Sequence, residues 1–420
     1  MTDLNPPRQR LASLDQFRGY TVAGMFLVNF IGYFTAAPFL CKHHLTFNSY
    51  ADTIMPHFFF AVGFSFRLSF GRRVHEQGTT KAYLHMIKRL LGLALVSFVV
   101  YRVSPRTDPW QWDVLVEKGA VDALSQPFKQ DWFQTLLHIA VTSLWILPVI
   151  RASAMVRILY MIASVLLHIG LSHWFYFDWI HTEPTAIDGG PLGFLTWTIP
   201  TMLGTLACDA VVGAEGRPPL FKMLFWAVVL MELGYGMSCL TRIYDVPTEQ
   251  VDALSDVREA ENPVIPSSEQ FDRWRKDVIA GNWSEVLAEP PFIPPPHSRD
   301  VIDGNVTNQS QKYRKWNYWQ MGQCVGATSY QTFSAGFSLA VYVLFYILAD
   351  MLNLRLGLFR TLGVNALVGY VLHDMVGGSV KAFMPPDSPA WYMWAGFAFY
   401  FWITWLMLRS LEKQNIYIKL

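Results

Sequence analysis

Charge is scarce in this chain. Asp, Glu, Lys and Arg make up 15% of its 420 residues, against about a quarter in an ordinary soluble domain. Cysteine is scarce too: Cys41, Cys208, Cys239 and Cys324 form no CxxC pair and no zinc spacing, which excludes a zinc module. No charge sign prevails. The net charge is +1 and no basic tail or nucleic-acid motif stands out, so nucleic acid is not an expected partner. A removable signal peptide is not expected either, because the first ten residues, MTDLNPPRQR, are polar and basic.

What the chain has in excess is apolar surface: 52% hydrophobic residues and 15% aromatics, with a mean hydropathy of +0.24. Runs of about twenty apolar residues cross a bilayer core as helices. Ten such segments are predicted, over 17–34, 54–70, 83–103, 132–150, 156–177, 191–212, 221–241, 332–351, 359–380 and 390–408. The expected fold class is therefore all-α, a polytopic membrane bundle of about ten transmembrane helices. Residues 1–243 would carry spans one to seven and residues 330–420 spans eight to ten.

Short loops rich in Lys and Arg mark the cytoplasmic side. Arg72, Arg73, Lys81, Lys88 and Arg89, then Arg151 and Arg157, Arg217 and Lys222, and Arg355 and Arg360 place both termini inside, whereas the 172–190 loop holds no Lys or Arg. Residues 244–329 break the apolar pattern with charge and proline, PPFIPPP among them. They are expected to form an extracytoplasmic insert between spans seven and eight, with a helical portion near 267–288. The insert reads either as a cap or as an acceptor-binding surface.

Polar side chains are costly at membrane depth and mark function by default. They gather on the first hairpin: Asp15, Arg18, Asn29, His43, His44 and Asp52 lie within or beside spans one and two. Asp15 and Arg18 can share a helix face as a structural ion pair. Asn29 suits either a helix–helix hydrogen bond or a substrate contact. Histidine titrates near neutral pH and serves as a general base. Asp52 can orient that base or cap span two. No HxH, HxxxH or His/Cys pattern recurs, so no metal is expected. In the ninth segment Asn365, Tyr370 and His373 are predicted to lie close to one helical face, as a polar seam or a cofactor contact.

The strings RLASLDQFRGYTVAGMFLVN and ADTIMPHFFFAVGFS resemble the heparan-alpha-glucosaminide N-acetyltransferase family of transmembrane acyltransferases, in its bacterial form. The resemblance continues through PLGFLTWTIPTMLGTLACD, SYQTFSAGFSLAVYVLFYILAD and FRTLGVNALVGYVLH, leaving out mainly the insert. It implies an integral membrane enzyme, such as one of a bacterial inner membrane, that moves acetyl from cytoplasmic acetyl-CoA to an extracytoplasmic sugar or amino sugar. Asn29 of LVNF matches the family's asparagine. The family's His-x-x-Trp pattern fits His44-Leu45-Thr46-Phe47, with phenylalanine in place of tryptophan, which selects His44 as the catalytic histidine with His43 as the alternative. Asp52 joins them as the third catalytic candidate. Arg18, Lys88, Arg89 and Arg360 are candidates for the CoA phosphates, and Asn365 and His373 for further cofactor contacts. Expected partners are acetyl-CoA, the acceptor, the bilayer and a second copy of the chain. A transporter or flippase without acyl-transfer chemistry is the rival, although the halves show no convincing inverted repeat.

Overall fold

The computed structural model describes residues 11–43, 48–101, 111–119, 125, 127–182, 184–214, 218–238, 240, 268–283, 300–302, 305–307 and 318–417. Helix dominates. In chain order the elements are α1 (Ala12–Ile31), α2 (Tyr50–Gln77), α3 (Thr79–Val100), α4 (Trp112–Lys118), α5 (Thr135–Ile146), α6 (Ala154–Leu171), α7 (Phe194–Val212), α8 (Leu220–Ser238), α9 (Ser268–Ala280), α10 (Thr328–Tyr346), α11 (Gly357–Val364), α12 (Ala366–Lys381) and α13 (Ala390–Lys413). Strands are confined, among the described residues, to an antiparallel pair, Asp300–Ile302 with Asn305–Thr307.

Among the described residues, five helical stretches are long and apolar enough to cross a bilayer: Thr79–Val100, Ala154–His181, Gly190–Val212, Leu220–Ser238 and Thr328–Met351. Their burial sorts them into two layers. The stretches holding α7 and α10 are 72% and 56% buried, whereas those of α3, α6 and α8 are each 17% buried. The first two form the centre of the bundle, and the other three turn apolar residues such as Leu95, Leu166 and Phe225 outward. The remaining predicted spans are shorter, more polar or interrupted. The 132–150 segment yields only the twelve-residue α5, flanked by a π-helical turn at Pro127–Asp131 and a 3-10 turn at Leu147–Val149. The 359–380 segment breaks at Asn365, whose φ of −121° and ψ of 40° end α11 and start α12.

Glycines let the inner helices approach closely, as in membrane bundles where small residues line the contacts. On α2 and α7, a Cβ at Gly63 would collide with the backbone of Thr201, and one at Gly204 with that of Phe60. On α1 and α11, Gly19 and Gly363 meet Phe359 and Asp15 in the same way. α1 is thereby fastened to α11 at its first half, and Asp350 Oδ2 accepts from the otherwise unpaired Ser13 N–H at 3.2 Å.

A partly buried ion cluster ties α2, α6 and α7. Arg67 Nε donates to Asp209 Oδ1 at 2.8 Å and Arg67 Nη1 to Ile150 O at 2.5 Å. Arg157 pairs with the same carboxylate and donates to Thr205 Oγ1 at 2.7 Å. Arg157 is fully buried, so this residue of an expected inner loop is part of the bundle instead. Residues 318–327, grouped by sequence with the insert, are likewise packed inside: Tyr318, Trp319, Met321 and Val325 belong to a core with Phe59 and Trp197.

Candidate functional site

Proline builds the floor of the site. Pro56 lies inside α2 and carries no N–H, so the carbonyl of Asp52, four residues back, loses its helical donor. Tyr330 OH of α10 donates to that oxygen at 2.7 Å. The Asp52 carboxylate, fully buried, does two further things. Its Oδ2 accepts from Ser49 N at 3.1 Å while Ser49 Oγ accepts from Asp52 N, a capping box that starts α2. Its Oδ1 lies 2.8 Å from His43 Nδ1. Both openings left by the sequence, cap and orienter of a histidine, are therefore occupied by the same carboxylate.

The tautomer follows from this geometry. An ionised carboxylate only accepts, so the His43 ring carries its proton on Nδ1 and leaves Nε2 as a base. Burial works against a charged His43, but the hydrogen bond and charge of Asp52, with the charge of Asp188 and the Gln323 side chain, raise its pKa above the ordinary 6.5. The ring remains accessible, with 55% of its side-chain surface exposed. His44 lies outside the described residues.

His43 and Asp52 open onto a cavity of about 540 Å³ where the C-terminal end of α1 meets the N-terminal end of α2. That volume lies in the range that holds small-molecule ligands. Asn29 and His373 line it too, and they meet: Asn29 Nδ2 is 3.1 Å from His373 Nε2. His373 Nδ1 is engaged by the Tyr370 carbonyl, which fixes the proton on Nδ1 and makes Nε2 the acceptor from Asn29. Among the described residues, the cavity is lined by three carboxylates, Asp52, Asp188 and Asp374, and by no lysine or arginine. It suits a neutral or cationic group better than an anion.

Two residues here were not picked out in the sequence. Asp188, in the AIDGGPLG loop, has a positive φ of 54° and accepts from Gln323 Nε2 at 2.7 Å. Burial raises its carboxyl to about 6. The Gly189-Gly190 pair, both with positive φ, was the available signal, because such pairs mark sharp turns that place a neighbouring side chain.

The predicted phosphate ligands fall elsewhere. Arg89 of α3 lies within electrostatic reach of Arg18 of α1 and Arg73 of α2, and His85 within reach of Arg73, Lys88 and Arg89. At 1.5 Å per residue, Arg18 sits about 16 Å along α1 from Asn29, toward its other end. Arg360 of α11 places its Nε 3.5 Å from Glu412 Oε1. Asn365 does not share the cavity with Tyr370 and His373: the helix breaks there, and its Nδ2 donates to Ile416 O at 3.1 Å. Among the described residues, no group of three His, Cys, Asp or Glu side chains is arranged to hold a metal ion. No protein-family model matches this chain, and no curated protein matches it either.

Proposed function

We propose that the chain is a membrane acyltransferase that moves an acetyl group from cytoplasmic acetyl-CoA to an extracytoplasmic sugar or amino-sugar acceptor. The observation that carries the proposal is the convergence of a His43–Asp52 dyad and an Asn29–His373 pair in one cavity. The motif resemblance supports it independently, since it selects Asn29 and a histidine of the same loop. The geometry supports His43 as the base, because its ring is held by Asp52.

In this mechanism His43 Nε2 takes the proton of the acceptor amine or hydroxyl as its lone pair attacks the thioester carbonyl. One Asn29 N–H is committed to His373, and the second supports the developing oxyanion. The carbon–sulfur bond then breaks, and the departing thiolate recovers the proton from His43. An acetyl-histidine intermediate is the competing route. The inner cluster of Arg18, Lys88 and Arg89 would hold the CoA phosphates, with Arg73 beside them. Ten spans, both termini in the cytoplasm, a bacterial inner membrane, an outer insert ending before the buried Tyr318 and pairing with a second copy complete the proposed organisation.

Calorimetry on detergent-purified protein tests it. Acetyl-CoA and CoA should both bind. A folded protein that binds neither at millimolar concentration would contradict this reading and favour the transporter.

A further inference from the structure

Asp188 has no part in the transfer steps above, yet its setting is elaborate. It is 8% exposed, and its backbone lies in the left-handed region that L-residues seldom adopt. Trp197 Nε1 donates to Asp188 O at 2.8 Å, Tyr176 OH to Gly189 O at 2.5 Å, and Gly189 N to Cys324 O at 3.0 Å. The loop is pinned on three sides.

The carboxylate orients an amide. Asp188 Oδ1 accepts from Gln323 Nε2 at 2.7 Å, and because an ionised carboxylate only accepts, the amide nitrogen must face it. Gln323 Oε1 is then turned away from Asp188. That oxygen is buried and accepts from no donor among the described residues, while the Gln323 side chain and the Asp188 charge both act on His43. Neutral His43 presents a lone pair at Nε2, which has nothing to offer a carbonyl oxygen. Protonated His43 presents an N–H, which does.

We infer that Asp188 and Gln323 are positioning residues for His43: Gln323, oriented by Asp188, receives a hydrogen bond from the imidazolium and holds the proton between its removal from the acceptor and its return to the thiolate. The source of that proton rests on the acyl-transfer function proposed above; the imidazolium contact does not. Tyr101, Cys324, Tyr370, His373 and Asp374 face the same cavity, and Lys42 turns its Nζ to Thr35 O. Among the described residues, Asp52 and Asp188 are the groups whose charge acts on His43.

Diethyl pyrocarbonate attacks neutral imidazole, so its rate at His43, read against pH by peptide mass spectrometry in a His44→Gln background, reports the titration of that ring. In Asp188→Asn, which keeps a side chain tolerant of positive φ, the midpoint should move to lower pH. Gln323→Leu should move it in the same direction. Turnover should fall about tenfold to a hundredfold in each, the range for losing one hydrogen bond to a charged group, with KM for acetyl-CoA unchanged. Unshifted midpoints in both variants, with thermal unfolding showing them folded, would overturn the inference whatever the activity. Shifted midpoints in a protein that transfers no acetyl would uphold it and refute acyl transfer.

Discussion

Asn29 and His373, separated by 344 positions in the sequence, meet at 3.1 Å across α1 and α12. The contact sets the direction of both side chains. With its Nδ1 proton on the Tyr370 carbonyl, His373 can only accept at Nε2, and Asn29 must turn its amide nitrogen toward it. The second N–H of the same nitrogen then remains for the cavity that also holds His43.

Asn29→Ala removes that donor. Turnover should fall about a hundredfold, as for one oxyanion-stabilising donor, while the KM for acetyl-CoA stays near its original value. Steady-state kinetics decide the matter: a raised KM with unchanged kcat would assign Asn29 to cofactor binding.

The pH profile has a definite sign. His43 must be neutral to act as a base, so kcat/KM should rise with pH as the ring loses its proton. Burial opposes the charged ring, but Asp52 and its neighbours hold its pKa above 6.5, so the acid limb should lie above the ordinary histidine value. Asp52→Asn removes the principal support of the imidazolium and should shift the limb to lower pH while reducing turnover.

Asp188 offers a stability test. Its folded carboxyl is raised from 3.8 to about 6, so the folded state favours the protonated form. Nothing distinguishes folded from unfolded below the ordinary value; ionisation then costs the folded state progressively, and the whole cost is present above about pH 6. Asp188→Asn should therefore raise the unfolding temperature most at pH 7 to 8, with the gain shrinking toward pH 4. A gain equal at all pH values would show that burial of the charge is not the cause.

Asp209 makes the opposite case. It neutralises Arg67 and Arg157, the latter fully buried. Asp209→Ala would leave two arginines without their counter-ion, and removing one partner of a buried pair costs about 3 kcal/mol or more. Thermal unfolding should show a loss of that order, accompanied by Arg157→Met being milder than Asp209→Ala.

Much of the candidate site was legible because it sits on one hairpin. Asn29, His43 and Asp52 are close in sequence, and polar residues among apolar ones announce themselves. Asp188 and Gln323 carried no such signal: each sits alone in a loop, and only the backbone turn at Gly189-Gly190 brings one to the other. Periodicity misled at Asn365, since counting residues along an uninterrupted helix ignores a break that diverts the asparagine to Ile416. Arg157 read as loop charge because its partner Asp209 lies 52 residues away, on a different helix. The apolar composition marked helices suited to a membrane, yet among the described residues length and hydropathy single out five, because the other segments are shorter, more polar or interrupted.

The central claim is that His43, held by Asp52, is the base of an acetyl transfer. Its most direct test is transfer of labelled acetyl from acetyl-CoA to glucosamine by purified protein in lipid vesicles, comparing His43→Ala with His44→Ala. His43→Ala should abolish transfer while acetyl-CoA binding and thermal stability persist, and His44→Ala should retain most activity. Full activity in His43→Ala would contradict the account.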